Sequence, residues 1–158
     1  ELRAEAPERA AEILTEAVAA LQAAGDAEWL AMNGARLGEA ELWLGHHELA
    51  LSHADAALAA APPSHLSSCA RAKRVRAQAL TRLGRTDEGL ALAEEVVADV
   101  AETDALVERA EAFVAHAEAL ALAGAHDEAA LRRDEAIAEF ERKGDVVSAA
   151  RVRRLAVC

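Results

Sequence analysis

A chain of 158 residues is one domain's worth and long enough to bury a core. Aromatics are 3% of it and alanine supplies much of the 53% hydrophobic fraction, which favours helices over strands. The formal net charge of −11 opposes general attraction to nucleic acid or anionic membrane, and no apolar run approaches the ~20 residues that span a bilayer.

The opening residues, Glu1 to Pro7, are charged and lack the apolar centre of a signal peptide. The missing initiator Met suggests a fragment or a trimmed chain. Residues 7–24 predict a helix: Pro7 suits a first turn, and Ala10, Ile13, Leu14, Ala17, Val18 and Leu21 recur at three- and four-residue steps. Gly25 closes it and Asp26 caps the next, about 26–44. Gly34 and Gly38 lie inside this second helix, where the expected compensation for glycine is close approach of a neighbour. Gly45 turns the chain into a helix over 47–60, which Pro62-Pro63 stops. Ser64 is the expected cap of a helix to about Leu83, Thr86 of one over 87–101, and Thr103 or Asp104 of one ending at Gly124. His126-Asp127-Glu128 opens a helix to Lys143, Gly144 closes it, and Asp145 caps a last segment from Val146 to about Ala156.

The turns repeat. Leu44-Gly45-His46-His47-Glu48-Leu49-Ala50 returns as Leu83-Gly84-Arg85-Thr86-Asp87-Glu88-Gly89 and as Ala123-Gly124-Ala125-His126-Asp127-Glu128-Ala129, with the glycines 39 and 40 residues apart. A fixed period of this size marks stacked supersecondary units. Small residues keep fixed offsets from each glycine: Gly38, Ala77 and Ala117 seven before, Ala50, Gly89 and Ala129 five after. Twelve after come Ala57, Val96 and Ala136. A large side chain at these places would push paired helices apart.

This pattern resembles the tetratricopeptide repeat, over nearly the whole chain. The family's usual repeat is about 34 residues; the lengthened, alanine-rich form is similar to C-terminal regions of bacterial LuxR-type activators and cyclases that carry an ATPase module. The resemblance implies an all-α, right-handed solenoid of antiparallel pairs with about eight helices. It would be a single domain over 1–158: a partial repeat 1–25, repeats at about 26–63, 64–102 and 103–144, and a closing helix 145–158. It also implies that the first helix of each pair lines a concave face. The inward positions are then Met32, Ala35, Glu39, Leu42 and Trp43; Arg71, Arg74, Gln78, Thr81 and Arg82; and Glu111, Val114, Glu118, Ala121 and Leu122, with Arg151 and Arg154 in register on the closing helix.

Met32, Trp43, Arg71, Arg74, Gln78 and Arg82 are the candidate partner-binding residues. Arginine offers a planar, bidentate donor to carboxylate, and Trp43 and Met32 an apolar anchor. The expected partner is an acidic or carboxylate-ended peptide of another protein. Glu39, Glu111 and Glu118 stand at matching heights and offer the alternative, a self-neutralised ladder. A second function class is a small-molecule sensor with its pocket near Trp43 and Arg74.

No catalytic set assembles, so an enzyme is not expected. His46, His47, His53, His65, His116 and His126 lack metal-site spacing, and His46, His47 and His126 read as water-facing turn residues. Cys69 reads as a small buried residue and Cys158 as a frayed end; two cysteines make no disulfide framework and fit a reduced, cytoplasmic setting. No phosphate loop, cofactor motif or metal site is expected. The apolar stripe of the first helix, and Val147, Val152 or Leu155 on the last, suggest a homodimer.

Overall fold

The computed structural model describes residues 6–62 and 64–155. Pro63, the side chain of Leu155, Ala156 and Cys158, on which expectations above fall, lie outside the described residues or side chains. Eight α-helices follow in order: α1 (Pro7–Ala24), α2 (Ala27–Trp43), α3 (His47–Ala60), α4 (Leu66–Arg82), α5 (Thr86–Val100), α6 (Leu106–Leu122), α7 (His126–Lys143) and α8 (Val146–Leu155). The described residues contain no strand. None of the helices is long and apolar enough to cross a membrane.

The turns work as the repeated glycines require. Gly45 takes φ 80°, which a side chain would resist, and this lets His46 N–H reach back to the Glu41 carbonyl at 2.9 Å. Arg85 N–H closes on the Leu80 carbonyl and Ala125 N–H on the Leu120 carbonyl in the same way. The pairs are α2–α3, α4–α5 and α6–α7, and each second helix also packs on the first helix of the next pair. Among the first helices, α4 also touches α2 and α6 directly. The second helices have no such extensive mutual contact among the described residues, so the stack curves with the first helices inside.

The core follows the repeat as a row of small clusters along the junctions. Ala10, Ala11, Leu37 and Ala40 fill the first; Leu42, Ala50, Ala54, Val75 and Ala79 the second. Ala70, Val96, Val100 and Ala112 fill a third, and Ala110, Val114, Ala136, Phe140, Ala149 and Val152 the last. All nine small-offset positions, from Gly38 to Ala136, are buried. A Cβ on Gly38 would meet the Ala50 carbonyl at 3.2 Å, which is the close approach expected of that glycine.

Some helix starts differ from the sequence reading. Asp26 caps α2, accepting from Trp29 N–H at 3.2 Å. Asp145 accepts from Ser148 N–H at 3.0 Å in the same way. Ser64 is not a cap; His65 holds that position and α4 begins at Leu66. Thr86 is the first residue of α5, because the chain leaving the left-handed Gly84 enters the helix after Arg85 alone. Thr103 Oγ1 accepts from Ala105 N–H at 3.3 Å, and α6 starts only at Leu106.

Candidate functional site

Inward positions of the first helices lie one helical turn or so apart, and neighbouring helices present them at equal heights because the repeat length is nearly constant. The structure therefore joins them into a polar ladder. Glu39 on α2 receives Arg74 Nη2 at 2.8 Å on one oxygen and Arg71 Nη1 at 2.9 Å on the other. Arg74 Nη1 also donates to Gln78 Oε1 at 3.1 Å and stands 3.9 Å from Glu111 Oε2. Glu111 Oε1 takes Arg151 Nη2 at 2.8 Å, which carries the ladder to α8. A second rung lies nearer the turns: Gln78 Nε2 donates to Glu118 Oε2 at 2.9 Å, Arg82 Nε donates to Glu118 Oε1, and Arg82 Nη1 to the Leu42 carbonyl at 3.0 Å.

Burial alone would raise the Glu39 carboxyl, but Arg74 and then Arg71 outweigh that and hold it at about 2. Burial likewise opposes the charge on Arg74, and Glu39 and Glu111 reverse it, raising the guanidinium above its ordinary value. Glu39 and Arg74 are both buried. The three carboxylates thus neutralise the inner arginines, and Arg74 serves the joint between α2, α4 and α6 rather than the inner cleft.

What remains accessible is a cleft of about 380 Å³ ringed by all four first-type helices. Leu42 and Trp43 of α2 and Val114 of α6 give it apolar walls. Gln78 and Arg82 of α4, Glu118 of α6, and Arg151 and Arg154 of α8 give it polar ones. Trp43 and Arg151, 108 positions apart, meet across it with the guanidinium carbon 5.6 Å from the ring centroid. An adjoining apolar space of about 320 Å³ shares Arg82, Val114 and Glu118 and extends past Ala117, Ala121, Leu122 and Val152. The first cleft thus gathers three guanidinium groups, with Arg82 bonded to Glu118 and Arg151 to Glu111, on a chain of formal charge −11.

The sequence-derived candidates divide. Trp43, Gln78 and Arg82 line the cleft. Arg71 and Arg74 border a separate crevice with Glu108 and Glu111, and Met32 lines neither. Arg151, Arg154, Leu42, Val114 and Glu118 were absent from the candidate set although their register placed them inward. Their joint role depends on how sharply the stack curves. Arg133, on a second helix, carried no such signal.

The histidines also divide. His46 is exposed and its Nδ1 lies 2.7 Å from Glu41 Oε2, and His126 is exposed. His47 departs from its expected place in water: it is half-buried, with Nδ1 enclosed by the turn. Cys69 is half-buried and its Sγ lies 3.7 Å from the Pro62 carbonyl. Among the described residues no three side chains group as metal ligands. Compared with protein-family models, curated proteins and solved structures, the chain gives no match to any.

Proposed function

We propose that this chain is a non-catalytic interaction module, of the tetratricopeptide-like kind, whose inner cleft binds an acidic or carboxylate-ended segment of a partner protein. The clustering of Arg82, Arg151 and Arg154 around Leu42, Trp43 and Val114 in one cleft supports this reading. A carboxylate entering beside Arg82, Arg151 and Arg154 gains charge-assisted bonds in a partly desolvated setting, and an apolar neighbour gains contact with the Trp43 ring. Glu118, with both oxygens occupied by Gln78 and Arg82, supplies register against competing poses. The guanidinium groups stay protonated and exchange no proton with a substrate, which supports binding over catalysis. We place the module in a regulatory protein of bacterial signalling, as the lengthened repeats suggest.

A displayed library of acidic peptides, screened against the chain, tests the reading. Selected peptides should lose about tenfold or more in affinity on Arg82→Ala or Arg154→Ala, as expected when one charge-assisted bond of ~1.5–3 kcal/mol goes. Circular dichroism should stay unchanged. Equal affinity for both variants and the parent chain would refute the site.

The size of the cleft favours a second reading. About 380 Å³ lies within the range of small-ligand pockets. A carboxylate metabolite would fit the same groups, and a thermal shift with a panel of organic acids but none with peptides would favour it.

A further inference from the structure

Glu118 shows how the inner cleft holds a carboxylate, because its own side chain is the one being held. Its Oε2 accepts from Gln78 Nε2 at 2.9 Å, and its Oε1 accepts from Arg82 Nε. Both donors are fixed from behind. Arg82 Nη1 donates to the Leu42 carbonyl at 3.0 Å, and Gln78 Oε1 accepts from Arg74 Nη1 at 3.1 Å. The cradle thus keeps its form without the carboxylate that fills it.

Among the inner carboxylates Glu118 is the least tightly held. Glu39 and Glu111 each face two guanidinium groups, with side chains 11% and 17% exposed. Glu118 bonds one guanidinium, and its side chain is 23% exposed.

Glu118 also has a second place to go. It borders the adjoining apolar space of about 320 Å³, and so does Arg133 of α7. Arg133 stands nine residues after the turn glycine, where α3 and α5 hold the buried Ala54 and Ala93. Its neighbours three and four residues away on α7 are Ala129, Ala130, Ala136 and Ile137, none of them a carboxylate. Among the described residues Arg133 has no ion pair, whereas Arg132 beside it bonds Glu135 at 2.8 Å.

We propose that Glu118 is an internal stand-in for the ligand: a carboxylate of the partner segment takes Gln78 Nε2 and Arg82 Nε, and Glu118 turns across to Arg133. This rests on the interaction reading above and adds what regulates that site. Only a ligand that bonds the two donors better than Glu118 does is admitted. Apparent affinity is scaled down by the fraction of molecules in which Glu118 has left. Arg82, Glu118 and the ligand each have an opposite charge to pair with in the bound state, so no charge is stranded.

The test titrates a peptide of three Glu-Leu repeats into the parent chain, Glu118→Gln, Arg133→Gln and the double variant, with a peptide of three Gln-Leu repeats as control. Gln at position 118 keeps the side chain's shape and removes the competing charge. Glu118→Gln should bind the acidic peptide about tenfold tighter or more, the gain expected if the parent leaves its donors open about a tenth of the time. Arg133→Gln should weaken binding by about threefold or more in the parent, and change nothing in the Glu118→Gln chain, where no carboxylate is displaced. The control peptide should not distinguish the four. Circular dichroism should match throughout. Should Glu118→Gln lose helix, Arg133→Gln still carries the test, because it leaves the bonds between α4 and α6 in place. Equal affinity of the parent and Glu118→Gln overturns the inference and leaves the site reading standing. Weaker binding by Glu118→Gln also overturns it, since Glu118 would then help to hold the ligand. An Arg133→Gln effect of equal size in both backgrounds refutes the handover. No binding by any form refutes the inference and the site reading together.

Discussion

At the scale of single residues, Glu39 holds the most consequential position. Its two oxygens bind Arg71 and Arg74, and Arg74 is buried. Removing one member of a buried pair leaves an uncompensated charge, so Glu39→Ala should cost about 3–5 kcal/mol in chemical denaturation. Replacing both Glu39 and Arg74 by Met should recover much of it, since hydrophobic replacement of buried ion pairs is often neutral or better. His116 is a different kind of buried group. It stands at the α6 position that Leu37 holds on α2, with both ring nitrogens unbonded. Burial and then Arg132 of α7 lower its pKa below 6.5, against Glu94 of α5 and Glu128 and Glu135 of α7, which pull it up. The unfolded imidazole therefore takes a proton at higher pH than the folded one. Its contribution is complete above about pH 6.5 and shrinks as pH falls through the folded value. His53, lowered by burial against Glu41, adds in the same direction, while Glu39 adds its loss only between pH 4.5 and about 2. Melting temperatures from pH 7.5 to 5 should fall for the parent chain, and His116→Leu should flatten the slope; an unchanged slope would show that the ring is not the titrating group.

At the scale of elements, the packing of paired helices depends on how near their backbones come. The same residue type meets different demands along the stack. A Cβ on Gly34 would lie 3.5 Å from Ala57 Cβ, an ordinary contact, so Gly34→Ala should gain up to about 1 kcal/mol from helix propensity. On Gly89 the same Cβ would meet Thr81 Oγ1 at 2.1 Å and the Ala77 carbonyl at 2.8 Å. Thr81 is itself buried and bonded to the Ala77 carbonyl at 2.8 Å, so α4 and α5 must separate. Gly89→Ala should cost about 1–3 kcal/mol, the range for overpacked cores. Urea midpoints moving the same way for both variants would contradict this account. The periodic small residues made these joints visible in the sequence. Helix starts were less visible: Ser64, Thr86 and Thr103 look like caps, yet α4 begins at Leu66, α5 at Thr86 itself just after the left-handed Gly84, and α6 at Leu106.

At the scale of the whole molecule, stability passes along the stack from junction to junction, since each cluster involves only neighbouring helices. α8 is ten residues long and leans on α7, on Glu111 and on Trp43 through Arg151. Arg151→Ala should raise amide exchange in α8 before any other helix, with α4 and α5 unaffected; uniform loss of protection would indicate a single cooperative core instead. The amino-acid sequence by itself determined the all-α architecture, the spacing of the pairs and the nine joint positions, small at all but Val96. Those properties follow from local backbone preference and a period, both written in linear order. Only the tertiary structure decided which arginines reach solvent. Arg74 is sealed by Glu39, whereas Arg151 crosses to Trp43 and helps form the cleft. The reason is that curvature accumulates from small rotations at every junction, and no single repeat carries the angle that brings α2 and α8 face to face.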